Sequence, residues 1–380
     1  MINQNIILED TTLRDGEQAP GVAFSPENKV RIFNALADAG VKWIEAGIPA
    51  MKGKEVIALK EILERKQEVN IIGWNRGVLE DIKYTTSLGF NAIHIGLPTS
   101  DIHLKHSVGK SKSWLLKSAT DLVKYAKDKG CFVSISAEDV GRTDINFLQE
   151  YAIAVHEAGA DRLRLSDTIG ILNSVSYASK VKAVSDVCAI DTQCHCHNDF
   201  GLAVANTLAG LEAGAKYFHC CINGIGERAG MPDLAQTVMS LRELYSVDTG
   251  IDASHLTSLS HLVANACNQQ LPPWQPIIGS NVFAHESGIH TKGMLKNSRT
   301  FEPFSPDIVG NSRKLCIGKH SGRAVLRYFL EDQGVSIAEE NILEDCLARV
   351  RDLSIEKQGE VTPKELLNIY NTLLQEVNYV

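Results

Sequence analysis

The stretch Thr192-Gln193-Cys194-His195-Cys196-His197-Asn198-Asp199 closes an apolar run with two histidines one residue apart. In an extended strand residues i and i+2 point to the same side, so His195 and His197 aim two imidazoles at one place while Cys194 and Cys196 face the other way. Such a pair suits a metal ion, although His-x-His alone is more often a structural or solvent-facing pair. A carboxylate is the usual third ligand of such a site. The upstream run Asp10-Thr11-Thr12-Leu13-Arg14-Asp15-Gly16-Glu17-Gln18 also stands at the end of an apolar stretch and offers one.

Outward from these two stretches, short β-branched runs alternate with amphipathic segments through the first two-thirds of the chain, which is the pattern of repeated βα units around a parallel sheet. Strands are predicted near Asn5–Leu8, Val41–Ala46, Val69–Trp74, Ala92–Gly96, Cys131–Ser136, Arg162–Leu165, Thr192–His197 and Tyr217–Cys221. Eight such units have the size of a (β/α)8 TIM barrel. An open doubly wound sheet is the alternative, but no G-x-G-x-x-G follows the first strand. The expected organisation is a barrel over 1–252, a linker region over 253–321 rich in Pro, Asn, His and Ser, and a small, mostly helical subdomain over 322–380 with a packing or dimerising role.

Catalytic groups of such barrels sit where strands end and loops begin. The predicted strand ends carry Arg14 and Asp15, Glu45, Trp74 and Arg76, Glu138 and Asp139, Asp167 and Thr168, His195 and His197, and Asn223 with Glu227 and Arg228. Each has a bland explanation: Glu45 and Asp167 as caps, Arg76 as a surface charge, Asn223-Gly224 as a turn. It is their coincidence at the strand ends that points to a site.

Composition sets the remaining bounds. A hydrophobic content of 44% and a charged content of 22% over 380 residues are ordinary for a globular chain. The net charge of -8, without a basic block, argues against nucleic acid. No apolar run reaches membrane-spanning length and no signal peptide is visible. Nine cysteines without framework spacing read as reduced, mostly buried thiols and a cytoplasmic location.

Seven motifs in this order, DTTLRDGEQAPG from Asp10, EAGIP from Glu45, EDVGRTD from Glu138, HCHND from His195, NGIGERAG from Asn223, HESGIHTKG from His285 and GKHSGR from Gly318, resemble those of the homocitrate, isopropylmalate and citramalate synthase family. Those enzymes are metal-dependent Claisen condensing enzymes. Within the family, Pro20 to Phe24, Gly73-Trp74 and Gly96-Leu97-Pro98 are most similar to the short, nitrogen-fixation type of homocitrate synthase. The resemblance implies condensation of acetyl-CoA, as co-substrate, with 2-oxoglutarate to give homocitrate and CoA. The alternatives are the same condensation with another 2-oxo acid, a metal-dependent lyase or aldolase, and a weakened paralogue.

The resemblance further implies that Asp15, His195 and His197, with Asn223 close by, hold a divalent Mg, Mn or Zn ion. It makes Arg14 the group that steadies the ketone oxygen as it becomes an alkoxide. Gln18, Glu45, Trp74, Arg76, Ser136 and Thr168 would contact substrate. His290 in the HESGIH motif would take a proton from the acetyl methyl group, assisted by Glu138, and would be supplied by the linker of a second chain in an intertwined homodimer. Three positions depart from the pattern: Phe301 for a tyrosine, Ser134 for an arginine that binds the distal carboxylate of 2-oxoglutarate, and Met231-Pro232 after ERAG. With Ser134 in place, distal recognition is expected from Arg76, His94 or Arg142. No extra C-terminal regulatory domain is expected, and so no feedback inhibition through one.

Overall fold

In the computed structural model, which describes residues 2–65, 68–337 and 340–378, the chain forms two compact units, residues 1–271 and 272–380. The end of the helical segment expected to reach Val380 lies outside the described residues. The first unit is a closed barrel of eight parallel strands: β1 (Ile7–Asp10), β2 (Trp43–Gly47), β3 (Asn70–Arg76), β4 (Ala92–Gly96), β5 (Phe132–Glu138), β6 (Arg162–Asp167), β7 (Asp191–Cys196) and β8 (Tyr217–Cys220). β8 pairs back to β1, with Glu9 in register with His219, so that no edge is left open. The TIM barrel expected from the βα alternation is the fold observed.

Strand ends differ from the sequence-based bounds in one systematic way. β3, β5 and β6 extend through Arg76, Glu138 and Asp167, so polar residues that read as loop belong to the sheet. Inside a closed barrel the inward side chains see one another rather than solvent, and a polar strand end persists there if its groups find partners. β6 supplies Arg162, Arg164 and Ser166 at alternate positions, opposite Ser134, Ser136 and Glu138 of β5.

The first unit continues past residue 252. Helix Leu256–Ala266 packs on helix Pro26–Asp38 with Leu256, Leu259 and Val263 buried, within the region read from sequence as the start of a linker. All nine cysteines are free, and all but Cys188 are buried. Cys194 and Cys196 face away from the barrel interior, and Gly210 has no side chain because a Cβ there would lie 2.4 Å from the Cys194 sulfur.

The second unit has its own core. Helices Arg323–Asp332, Glu340–Lys357 and Pro363–Asn378 enclose Val325, Leu326, Leu330, Leu343, Cys346, Val350, Leu366 and Tyr370. A parallel two-stranded pairing of Ala284–His285 with Lys314–Leu315 and helix Gly288–Lys296 complete it. Among the described residues no helix is long and apolar enough to cross a membrane.

Candidate active site

Asp15, in the turn after β1, and His195 and His197, at the end of β7, present ligand atoms that all lie within 4.8 Å of one another. The backbone N–H of His195 donates to Tyr177 Oη, which fixes the strand against its flanking helix, and the two imidazole rings stand 5.2 Å apart, edge to face. Burial drives both histidines below the usual imidazole range, His195 well below it, with neighbouring histidines and arginines adding to the effect. Neutral imidazoles are the form that ligates a cation. Asp15 Oδ1 and His197 Nδ1 are buried without a hydrogen-bond partner, so two residues of the cluster each keep a buried polar atom unsatisfied. One carboxylate and two imidazoles with open positions fit a divalent cation.

Around this cluster runs a buried ion network. Arg14 donates through Nε to Glu45 and through Nη1 to Asp15 Oδ2 at 2.7 Å and to Gln18 Oε1 at 3.1 Å. Thr11 Oγ1 also donates to Glu45, and Arg164 Nη2 lies 2.7 Å from its other oxygen. Burial opposes ionisation of Glu45, but the Arg14 and Arg164 guanidiniums outweigh it and hold the carboxyl well below its usual range. Deeper in the barrel, Glu9 pairs with Arg162, Arg164 and His219 and is held at about 2 by the same balance. Arg162 is enclosed by the rings of Trp43, Phe132 and Tyr217, the last 4.7 Å from its guanidinium carbon.

A cavity of about 180 Å³ opens on these groups, lined by Arg14, Asp15, Gln18, Trp74, His94, Ser136, Glu138, Arg164, Ser166, Thr168, His195, His197, Glu227 and Arg228. Twelve of the residues singled out from sequence meet here: Arg14, Asp15, Gln18, Trp74, His94, Ser136, Glu138, Thr168, His195, His197, Glu227 and Arg228. Glu45 stands behind Arg14 and does not line the space. Arg76 does not line it either; its side chain is 65% exposed and pairs with Asp81. Arg142 is held by Asp139. Asn223, at φ 60°, donates to the Ser260 carbonyl and leaves its own Oδ1 buried without a partner. His290 belongs to the second unit, where its ring is exposed and stacks on Phe301 with centroids 4.1 Å apart.

Arg164 and Ser166 line the site but are not among the residues expected from sequence: the strand expected over Arg162–Leu165 stops short of Ser166, and only Asp167 and Thr168 are singled out at its end. The signal was available: R-L-R-L-S alternates polar and apolar residues with a period of two, which places Arg162, Arg164 and Ser166 on one face. His94 Nδ1 pairs with Ser134 Oγ at 2.9 Å, while its Nε2 is buried without a partner. Glu138 has its carboxyl raised above the usual range, chiefly by burial.

The family described as HMGL-like matches residues 5–263, and the domain described as homocitrate synthase post-HMGL domain-like matches residues 277–358. The chain belongs to the HMGL-like family. A 2-phosphonomethylmalate synthase from Streptomyces rubellomurinus is 57% identical over 97% of this chain and 99% of its own length. A 2-isopropylmalate synthase 2 from Caldanaerobacter subterraneus is 44% identical, covering 97% and 96% of the two chains. Homocitrate synthase 1 from Nostoc is 42% identical over 96% of each. The HMGL-like barrel also superposes on a hydroxymethylglutaryl-CoA lyase from Pseudomonas aeruginosa with a TM-score of 0.64 at 18% identity, covering 71% of this chain and 95% of that one, which speaks to fold alone. The HMGL-like chain is an acyltransferase-type synthase that transfers an acetyl group in a condensation. These relatives do not single out the nitrogen-fixation homocitrate synthases, since a synthase with a different product shares more identity than the Nostoc enzyme.

Proposed function

We propose that the chain condenses acetyl-CoA with a small 2-oxo acid carrying a second anionic group, and that 3-phosphonopyruvate is the leading acceptor. The observation that carries this reading is the cavity: about 180 Å³, suited to a small acid, with Asp15, His195 and His197 at one place and Arg164 and the unpartnered His94 Nε2 in the same wall. The 57% identical relative makes 2-phosphonomethylmalate by name, and removing the two-carbon unit that acetyl-CoA supplies leaves phosphonopyruvate. 2-Oxoglutarate is the second reading, favoured by the 42% identity with the Nostoc homocitrate synthase.

A divalent cation held by Asp15, His195 and His197, with Asn223 as a further neighbour, would act as a Lewis acid on the ketone. Within the reading, the residues divide the work as follows. Arg14 meets the negative charge that grows on the ketone oxygen. Thr168 and Ser136 hold the acceptor's carboxylate, and Trp74, which lies beneath the Arg14 guanidinium at 5.6 Å, closes the side of the pocket. His94 and Arg164 take the distal anion in place of the arginine that Ser134 replaces. His290, offered by a second copy of the chain, removes a proton from the acetyl methyl group, and Glu138 assists. The methyl carbon bonds to the ketone carbon, the ketone oxygen gains a proton, and water then cleaves the thioester to release CoA thiol. A second, more apolar cavity of about 300 Å³ shares Arg14 and Gln18 with the first and is lined by Leu13, Val22, Ile48 and Met51, which suits the neutral arm of the thioester.

The test is release of free thiol from acetyl-CoA, with Mn²⁺, against a panel of 2-oxo acids. Turnover is expected with phosphonopyruvate, less with 2-oxoglutarate, and little with 2-oxoisovalerate. A preference for the branched, monoanionic acid would overturn the assignment of His94 and Arg164.

A further inference from the structure

Behind the candidate metal ligand His195 lies a chain of hydrogen bonds whose polarity follows from the charges around it. His195 Nδ1 is 2.7 Å from His219 Nδ1, and His219 Nε2 is 2.6 Å from Glu9 Oε1. All three side chains are buried. Glu9 is ion-paired to Arg162 and Arg164, so it is a carboxylate and can only accept. The proton on the Glu9 side therefore sits on His219 Nε2. A second proton on His219 would place a further buried cation beside two guanidiniums, so His219 Nδ1 carries a lone pair and His195 Nδ1–H donates to it. His195 Nε2, 3.5 Å from Asp15 Oδ2, is then left with its lone pair facing the Asp15 cluster.

We infer that Glu9 and His219 are positioning residues that hold His195 in the one tautomer able to ligate a cation through Nε2. Most barrel interiors are filled by branched apolar side chains, and here three of those places hold a carboxylate and two imidazoles in line. Groups hydrogen-bonded behind a ligating histidine fix its ring orientation and raise its basicity. A carboxylate reaching its histidine through a second imidazole lengthens that arrangement by one ring. The inference rests on the reading of Asp15, His195 and His197 as the metal ligands.

The experiment measures Mn²⁺ affinity by titration calorimetry, without substrates, for wild type, His219→Gln, His219→Asn and His219→Leu, with thermal midpoints recorded for each. A glutamine can accept from His195 through Oε1 and donate to Glu9 through Nε2, whereas asparagine is too short to span both and leucine can do neither. Loss of such an outer partner weakens metal binding about 10- to 100-fold, so Asn and Leu are expected to raise the Mn²⁺ Kd by that factor while Gln stays within about threefold of wild type. Equal affinity in all four proteins, or equal loss in Gln and Asn at matched thermal midpoints, would overturn the tautomer relay while leaving the metal reading intact. Failure of wild type itself to bind Mn²⁺ would instead remove the metal reading on which the relay rests.

Discussion

At the scale of single residues, the site combines groups that the sequence announces with groups that it hides. Asp15, His195 and His197 were legible because their spacing and their places at strand ends already suggested a shared centre. Glu9, Arg164 and His219 were not, because a charged residue inside a short run looks like a flaw in a strand until the barrel closes and supplies its partner. Glu9 carries the clearest stability consequence. Its carboxyl is lowered from 4.5 to about 2 because Arg162 and His219 outweigh the burial that opposes ionisation. A folded-state value below the unfolded one means that the stabilisation is fully present above pH 4.5 and is lost as pH falls through about 2. Glu9→Gln is expected to cost about 3–5 kcal/mol near neutrality, since breaking a buried pair leaves uncompensated charge. Denaturant melts at a series of pH values check this: the difference from wild type should shrink as pH falls below 4.5. A constant difference across that window would contradict the assignment of the effect to charge.

At the scale of elements, the order of strands and helices was readable from the alternation of β-branched and amphipathic runs, and the strand ends were not. β5 and β6 run through Glu138 and Asp167 because Glu138 meets Ser136 on the inward face while Asp167, on the outward face, accepts from the backbone N–H groups of Ile171 and Leu172, partners that no local pattern announces. Helix Leu256–Ala266 was missed for the opposite reason: it follows the last βα unit and precedes a Pro-rich stretch, so its buried face on helix Pro26–Asp38 had no periodic context. The packing of β3, β4 and β5 yields a direct test. A Cβ at Gly96 would lie 2.6 Å from Trp74 Cζ2 and 2.7 Å from Glu138 Oε1. Gly96→Ala must therefore displace Trp74, Glu138 or both. It is expected to cost about 1–3 kcal/mol, as overpacked sites do, and to lower kcat/KM more than the loss of stability explains. Thermal melts beside steady-state kinetics separate the two; unchanged kinetics would mean that neither side chain needs its present position.

At the scale of the whole molecule, the barrel brings together most of the expected groups, and His290 stands on a separate compact unit with its ring exposed. If each active site is completed by a second copy of the chain, then inactive His290→Ala protein mixed with inactive Asp15→Ala protein should regain part of the wild-type activity through hybrid dimers. No recovery after subunit exchange would count against completion by a second chain. The substrate was the least legible feature, because in the proposed reading an acceptor's distal group would meet side chains on different strands, His94 on β4, itself paired with Ser134 on β5, and Arg164 on β6. Their convergence is set by register rather than by any motif. The central claim is that Asp15, His195 and His197 hold a cation needed for the condensation, and it is tested most directly by thiol release from acetyl-CoA with phosphonopyruvate, before and after chelation and again after Mn²⁺ is returned. Activity that falls to background on chelation and recovers with Mn²⁺ in wild type, but never appears in His195→Ala, is the predicted result. Turnover that persists through chelation, or in His195→Ala, would contradict the account.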